Sequence, residues 1–260
     1  NIFKKLILFI SIIIIFLLVY FSTFGIKTTQ FNDSIKNEVK KLNKKLNVDF
    51  KEIYLNLNLF KFSIKLNIDN SNIKFRDRVI KISNISSDVS IKSLIKKNYL
   101  VRNIKINSEK NEIKNLINLY RLFKDNVQIL ILEKIVSSGE FEGDFKFNLD
   151  DDGNIKNNFL INGDVTNLNL KFLNDFVIKD LNFKFNINNE KQEFENIKLI
   201  IENNIFYSNK ITLKNEKDKF SIFGNLKSEN STINKETLKM FFNDKINELD
   251  IEQIKLNSNV

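Results

Sequence analysis

Hydrophobic residues form one long run near the start of the chain, interrupted only by Ser11, Ser22, Thr23 and Gly25. The run extends from Leu6 to Ile26, contains no charged residue and follows two lysines. About 21 residues at about 1.5 Å each make a helix of about 31 Å, close to the hydrocarbon thickness of a bilayer. A cleaved signal peptide has a shorter apolar core and a small-residue cleavage site. Residues 1–27 are therefore predicted to form a retained transmembrane anchor, represented by Leu6, Ile13, Phe16, Leu18 and Tyr20.

Residues 28–48 show the spacing of a basic amphipathic helix. Asp33 is a suitable N-cap, and apolar residues then recur after four, three and four positions, with lysines on the opposite side. Such a helix can lie on the membrane surface directly after a span. It can equally cap one end of a sheet, and the pattern leaves both positions open. The predicted apolar stripe is Ile35, Val39, Leu42 and Leu46.

Residues 49–260 mostly alternate hydrophobic and polar positions, which is typical of strands with one buried face. The clearest hairpin joins Phe141–Leu149 to Ile155–Ile161 through Asp150–Asn154, and a second hairpin turns at Asn188–Glu190. Strands do not alternate with long helices, so parallel βαβ units are not expected. The pattern predicts an antiparallel β-meander of about ten or more strands.

Three local features interrupt this alternation. The phase changes at Leu59–Phe60, which indicates a bulge or a turn. Ile113–Phe123 and Leu238–Ile246 have helical spacing, and a strand is predicted between them at Val127–Ile131. A few short helices cannot cover the apolar face of so many strands, and an apolar face must be covered. The residue pattern allows a closed barrel, a self-packed sandwich, or a curved sheet whose apolar side holds a ligand.

The composition removes most catalytic chemistry. The chain has no Cys and no His, which excludes disulfides, thiol nucleophiles, histidine bases and zinc sites of the Cys/His type. The acids in Asp150–Gly153 lack the spacing of a calcium loop, so a solvated turn is expected. Glu140, Glu142 and Asp144 alternate along one strand and are expected to face water. We therefore expect that the protein is not an enzyme and that it binds no metal and no cofactor.

The net charge of +9 does not by itself indicate a nucleic-acid partner. Lysines are scattered along the chain, and arginines occur only at positions 76, 78, 102 and 121. Phosphate clamps and base readout favour arginine. No nucleic-acid partner is expected, and the scattered lysines are interpreted as solvated faces, with attraction to lipid headgroups as the alternative.

Three segments together resemble the N-terminal part of the AsmA-like proteins (the AsmA, TamB and YhdP type), which are similar to bridge-type lipid transfer proteins. They are the apolar N-terminal segment, the alternating stretch Leu55–Leu66, and the stretch Ile82–Ile95 that leads into Tyr99–Ile106. The hairpins from Phe141 to Leu226 resemble the repetitive β region of the family. The scarcity of Pro and Gly departs from the family pattern, and members are longer, so the chain is interpreted as an N-terminal fragment.

The resemblance implies a long β-sheet curled into a groove, a fold termed a β-taco, with an apolar lining. It implies that the protein carries phospholipid between the inner and outer membranes of a bacterium, with the bulk of the chain in the periplasm. An outer-membrane protein partner is a further implication. The alternative is an anchored periplasmic scaffold or assembly factor that acts by protein contacts alone. The expected groove-lining residues are Phe60, Phe62, Ile64, Phe141, Phe145, Phe147, Phe159, Ile161, Phe183, Phe185 and Ile187.

Lysines on the two sides of the predicted anchor bear on its orientation. Lys4 and Lys5 precede the apolar run, whereas Lys27 and five further lysines follow it within residues 36–45. The positive-inside rule would place the side with more lysines in the cytoplasm. Long domains, however, translocate largely regardless of their charge. An extracytoplasmic body is expected, against the lysine count.

Overall fold

The computed structural model describes residues 2–91, 101–150, 155–156, 158–172, 176–201, 204–216, 219–229 and 256–259. The helix predicted at Leu238–Ile246, four residues of the turn after Asp150, and residues 92–100 of the family-like pattern lie outside these ranges. The chain divides into two compact units, which are described separately. The first comprises Asn1–Ser108 and Phe145–Asn157, and the second comprises Glu109–Asp144 and Asn158–Val260.

The first element, α1, spans Ile2–Thr23. Its segment Phe3–Thr23 has a mean hydropathy of 2.8 and is long and apolar enough to cross a membrane. The five side chains that represent the predicted anchor are all exposed, as is expected for a helix that crosses a membrane. The hydroxyl of Ser11 donates to the carbonyl of Ile7 at 2.9 Å, so this polar group is satisfied within the helix. The predicted N-terminal apolar helix is confirmed.

The first unit contains a sheet in the order β1-β3-β4-β5-β6, with β2 beside the second half of β4. The described pairs in this sheet are antiparallel. Because β4 and β5 are long, they form the centre of the sheet. The strands are β1 (Ile26–Thr28), β2 (Leu46–Asp49), β3 (Ile53–Asn58), β4 (Ser63–Phe75), β5 (Arg78–Ser90) and β6 (Val101–Ser108).

The amphipathic helix α2 spans Asn32–Leu42 and packs on this sheet. Ile35 and Val39 contact a core whose buried residues are Val48, Phe50, Ile53 and Ile68. The apolar stripe of α2 therefore packs on the sheet. Of the two positions that the sequence pattern left open, the membrane surface and the end of a sheet, the structure has the second. The stripe is shorter than predicted, since Leu42 is exposed and Leu46 belongs to β2.

The second unit has the strand order β8-β9-β10-β11-β12-β14-β15, in which β13 also pairs with β12 and β7 with β8. The β14–β15 pair is parallel and the other described pairs are antiparallel. Both predicted hairpins are present. The second is β10–β11. The first has the bridge between Leu149 and Ile155, which belongs to the first unit together with the last residues of β8 from Phe145. The strands are β7 (Asn111–Glu112), β8 (Val136–Asn148), β9 (Leu160–Lys171), β10 (Val177–Asn188), β11 (Lys191–Ile201), β12 (Asn204–Glu216), β13 (Lys219–Gly224), β14 (Leu226–Glu229) and β15 (Leu256–Asn259).

Two short helices precede β8 in this unit. The first, α3, spans Ile113–Arg121 and confirms the predicted helix, with Ile117 buried. The second, α4, spans Val127–Ile135, where a strand was predicted, and this prediction is wrong. Asn126 caps α4, since its side-chain oxygen accepts a hydrogen bond from the amide of Ile129 at 3.0 Å. The short run of apolar residues fits the period of a strand and that of a helix, and the cap at Asn126 favours the helix.

A line of bulges crosses the sheet of the second unit. Asn167 on β9, Asp180 on β10 and Asn196 on β11 have positive φ, and the register of the β9–β10 and β10–β11 pairs shifts beside them. Gly139 on β8 also has positive φ, and a Cβ there would lie 2.9 Å from the Cα of Leu168. Bulges bend a strand and increase its twist. Asn and Asp tolerate the left-handed conformation that such bulges need.

The predicted class is confirmed as mainly antiparallel β with an N-terminal apolar helix and a few short helices. The buried hydrophobic residues form separate clusters in the two units. One buried cluster lies under α2 in the first unit, and another lies at Ile178, Ile201 and Phe206 in the second. The predicted curling into a groove is not observed among the described strands of either unit, which form open sheets.

Candidate functional site

One face of the second unit's sheet carries a row of alternating charges. Asp164, Lys184, Glu195 and Lys210 lie opposite one another on β9, β10, β11 and β12. The Lys184 Nζ is 3.7 Å from Asp164 Oδ1, and the Lys210 Nζ is 3.0 Å from Glu195 Oε1. Opposite charges at cross-strand positions favour one register. This charge row marks the solvated face of the sheet.

Glu193 extends the charged face along β11. Its Oε1 is 2.6 Å from the Nζ of Lys210 and 3.0 Å from the Nζ of Lys191. The hydrogen bonds from Lys210 and then Lys191 lower the pKa of the Glu193 carboxyl below its ordinary value. The carboxylate is thus held in its charged form by its partners. This arrangement is a structural ion-pair network and brings no general acid or base into a cleft.

The opposite face of the same strands carries four phenylalanine rings, termed here the aromatic cluster: Phe141, Phe183, Phe185 and Phe194. The rings of Phe141 and Phe185 stack at 5.7 Å between centroids. Phe183 meets Phe194 edge-to-face at 5.6 Å and lies 6.2 Å from Phe185. Side chains of neighbouring residues on a strand point to opposite faces, so the cluster and the charge row share strands but not faces.

Two glycines bring the stacked rings against the backbone. Gly163 lies opposite Phe185 in the register of β9 and β10. A Cβ at Gly163 would lie 2.8 Å from the Cζ of Phe185, and a Cβ at Gly143 would lie 2.7 Å from the Cζ of Phe141. Both rings therefore lie over positions without side chains, since a methyl group at either position would collide with a ring. The cluster presents its rings as a surface close to the sheet.

This apolar face is covered only in part. Phe141 and Phe185 are 8% and 9% exposed, whereas Phe183 and Phe194 are half-buried. The described helices of this unit, α3 and α4, approach the sheet at β9 and at Gly139. Half-buried apolar side chains beside the aromatic cluster include Ile161 and Ile187, which pair with each other, and Ile211, which pairs with Phe194.

The structure brings together some of the expected groove residues of the second unit. Phe141, Phe183 and Phe185 are in the aromatic cluster, and Ile161 pairs directly with Ile187. Phe159 is half-buried just before β9. Ile161 and Ile187 thus continue the apolar face of β9 and β10 beyond the aromatic cluster.

The remaining expected groove residues belong to the first unit. Phe145 and Phe147 are half-buried, with ring centroids 6.3 Å apart, and Ile64 is half-buried between Leu57 and Val89. Phe60 and Phe62 lie outside the strands, in the turn between β3 and β4, where they are 100% and 67% exposed. The predicted phase change at Leu59 is this turn.

Sequence reasoning missed three residues of the aromatic cluster's surroundings. Phe194 alternates with Glu193 and Glu195, a strand signal that belongs to β11, but Phe194 was not among the expected groove-lining residues. Gly143 and Gly163 are isolated glycines in strand patterns, which is a signal of close backbone approach. A search for glycines within alternating segments would have found both.

Comparison of the chain with protein-family models, with curated proteins and with solved structures finds no match. The resemblance to the AsmA-like proteins therefore stays an expectation. Within the described ranges, no group of three or more acidic side chains is arranged to hold a metal ion. The chemistry offered by the described site is that of an apolar, aromatic surface on a sheet whose other face is charged.

Proposed function

We propose that this protein is a membrane-anchored lipid-binding protein in which the apolar face of the second unit holds the acyl chains of a phospholipid. In this function it carries phospholipid between the inner and outer membranes of a bacterial envelope. The observation that carries the proposal is that Phe183 and Phe194 of the aromatic cluster, with Ile161 and Ile187 beside them, are only half-buried. An apolar face of this extent, on strands whose other face is solvated, is stabilised by an apolar partner.

The physical chemistry of the face suits acyl chains. Burial of one CH₂ group contributes about 0.8 kcal/mol, so a few methylene groups against the rings give appreciable affinity without any polar recognition. Rings that lie close to the sheet offer a smooth surface rather than a pocket for one headgroup. A chain can slide along such a surface with little change in energy, because successive strands present similar side chains. The function needs no catalytic residue and no cofactor.

The proposed location is the bacterial inner membrane, with α1 as a single span and both units in the periplasm. The length and apolarity of α1 support the span. The resemblance to AsmA-like proteins supports the periplasmic side. A protein partner in the outer membrane would receive the lipid in this scheme.

Photocrosslinking at matched positions tests the proposal. The photoreactive residue p-benzoylphenylalanine replaces Phe183 on the apolar face in one variant and Lys184 on the charged face in a second variant. A third variant carries it at Phe16 of α1. After irradiation in native membranes, mass spectrometry of the purified chain detects lipid adducts. We expect phospholipid adducts at positions 16 and 183 and none at position 184.

The three positions separate the possible results. Adducts at position 16 alone would contradict lipid binding by the second unit while leaving the membrane anchor in place. Equal adduct formation at positions 183 and 184 would mean that lipid contacts the sheet without regard to its faces, which also contradicts the proposal. Protein adducts at position 183, without lipid, would favour the alternative function below.

The alternative function is an anchored periplasmic scaffold that acts through protein contacts. It is favoured by α4, whose Val127, Ile131 and Leu132 are 66%, 46% and 43% exposed. Exposed apolar residues on a helix of a folded protein are characteristic of interaction surfaces. The same photoreactive residue at Ile131 distinguishes the two functions, because a scaffold predicts a defined protein adduct there.

A further inference from the structure

The turn between β3 and β4 exposes two aromatic side chains. This segment, Leu59–Phe62, is termed the aromatic turn. Phe60 is fully exposed at 100%, and Phe62 is 67% exposed. Lys61 lies between them and is exposed as well. Turns in water are normally formed by Gly, Asn, Asp and Ser, and this turn places its two most apolar side chains outward.

The backbone of the aromatic turn is held in an unusual conformation. Phe62 has a φ of 47°, in the left-handed region that bulky residues avoid. The side-chain oxygen of Asn58 accepts a hydrogen bond from the amide of Lys61 at 3.0 Å, and the carbonyl of Phe62 accepts one from the amide of Ile91 at 3.0 Å. A strained conformation that neighbouring groups hold in place points to a function of that segment.

The register of β1 places the aromatic turn at the same end of the sheet as α1. Ile26 lies opposite Leu55 and Thr28 lies opposite Ile53, so β3 runs back toward the C-terminal end of α1. The hydroxyl of Tyr54 donates to the carbonyl of Phe24, directly after α1. From Leu55 the strand continues for about 10 Å to the turn, at about 3.3 Å per residue. The helix α1 is in contact with β3.

The opposite end of the same sheet has the reverse chemistry. The turn between β4 and β5 consists of Arg76 and Asp77, both exposed. One β4 strand thus connects an aromatic turn next to α1 with a charged turn at its far end. The polarity of the two turns matches a sheet that stands with one end at a membrane and the other in water.

From these observations we infer that the aromatic turn inserts into the interface of the bilayer that α1 crosses, as a second membrane contact of the first unit. The inference rests on the proposed anchoring by α1. Phe60 and Phe62 enter the boundary between headgroups and acyl chains, and the Lys61 ammonium reaches back to the phosphate layer. The contact gives the first unit a second point of attachment to the membrane besides α1, and two points of attachment restrict the angle of the sheet to the membrane.

Single tryptophans test the inference, since the chain contains no Trp. The variants Phe60→Trp, Asp77→Trp and Phe16→Trp are reconstituted as full chains in nanodiscs of phosphatidylcholine and phosphatidylglycerol, with and without brominated acyl chains. Both turn positions are exposed, so the substitutions leave the fold intact. We expect blue-shifted emission and quenching by bromine at positions 16 and 60. At position 77 we expect emission as in water and no quenching.

The outcomes distinguish this inference from the anchoring on which it rests. Quenching at position 16 with unquenched, water-like emission at position 60 would overturn the inference and leave the anchor intact. Absence of quenching at position 16 would overturn both. A blue shift at position 60 without bromine quenching would show that protein, such as a second copy of the chain, covers the aromatic turn, which also overturns the inference.

Discussion

Two glycines on neighbouring strands determine how closely the aromatic cluster lies against the sheet. A Cβ at Gly163 would meet the backbone oxygen of Glu142 at 2.4 Å as well as the ring of Phe185 at 2.8 Å. The backbone atom belongs to a paired strand and cannot yield as a side-chain end can. The ring would have to rise, which would break its stacking on Phe141. The absence of a side chain is therefore as important here as the presence of the rings.

The substitution Gly163→Ala should lower the free energy of unfolding by about 1–3 kcal/mol, the usual range for overpacking. Urea titration followed by circular dichroism, on the chain in mild detergent, measures the change. The matched control is Asn186→Ala on the charged face of the adjacent strand, expected to stay within about 0.5 kcal/mol of the parent protein. A stability for Gly163→Ala equal to that of this control would contradict the ring positions described above.

Glu193 gives the charged face a specific dependence on pH. Its pKa is lowered in the folded protein, so its ion pairs add stability at pH values above its ordinary pKa of 4.5. That contribution is lost as the pH falls through 4.5 toward the lower pKa of the folded state. The variant Glu193→Gln lacks the contribution at every pH. The parent protein should therefore be more stable than this variant at neutral pH.

Urea midpoints measured from neutral pH to about pH 3 test this dependence. The difference between the parent protein and Glu193→Gln should shrink as the solution becomes acidic. Glu190→Gln, at the exposed turn before β11, is the matched control and should track the parent protein throughout. A difference that is constant with pH would mean that the effect of Glu193 does not come from its charge.

At the level of the elements, the bulges in β9, β10 and β11 depend on residues that accept a positive φ. Asn196 has a φ of 53° and an exposed side chain, so its role is conformational. Asn196→Gly should be nearly neutral, because Gly adopts this conformation freely. Asn196→Val should lower the free energy of unfolding by about 1–2 kcal/mol, since a branched Cβ clashes in the left-handed region.

Chemical unfolding of both variants measures this effect, with Asn186→Val as the control on a regular part of β10. Val has a good strand propensity, and the control should retain or slightly gain stability. If Asn196→Val behaved like Asn186→Val, the bulge at Asn196 would not exist in solution. Loss of stability in Asn196→Gly would argue that the Asn side chain itself, rather than its backbone, stabilises the strand.

Elements with a strong period were predictable, and elements decided by local chemistry were not. The alternation of Phe183, Phe185 and Ile187 predicts the second half of β10, where the period of two holds without interruption. The run Val127–Ile135 fits a strand and a helix equally, and the cap at Asn126 stabilises the helix. Asn167 and Asn196 look like any other Asn in an Asn-rich chain, so the bulges were not predictable. The phenylalanines of the candidate site were predicted to share an apolar face, whereas Gly143 and Gly163, over which two of the rings lie, were not predicted to be part of the site.

At the level of the whole molecule, the orientation of the chain in the membrane follows from opposing physical effects. The lysines that follow α1 favour a cytoplasmic body, whereas the proposed lipid-carrying function requires a periplasmic one. Lys27, the first of them, forms an ion pair with Glu52 at 2.9 Å, and this bond raises the pKa of Lys27. The ion pair therefore keeps Lys27 charged, but long domains translocate largely regardless of the charges beside the span. We therefore expect the body to be translocated.

The absence of cysteine from the chain allows a direct measurement of this orientation. Asp77→Cys places a thiol in the exposed turn between β4 and β5, and Lys4→Cys places one before the apolar segment. A membrane-impermeant maleimide is added to spheroplasts of cells that produce each variant. We expect labelling at position 77, and labelling at position 4 only after the membrane is opened with detergent. The reverse pattern would place both units in the cytoplasm, where transfer between the two membranes of the envelope is physically impossible.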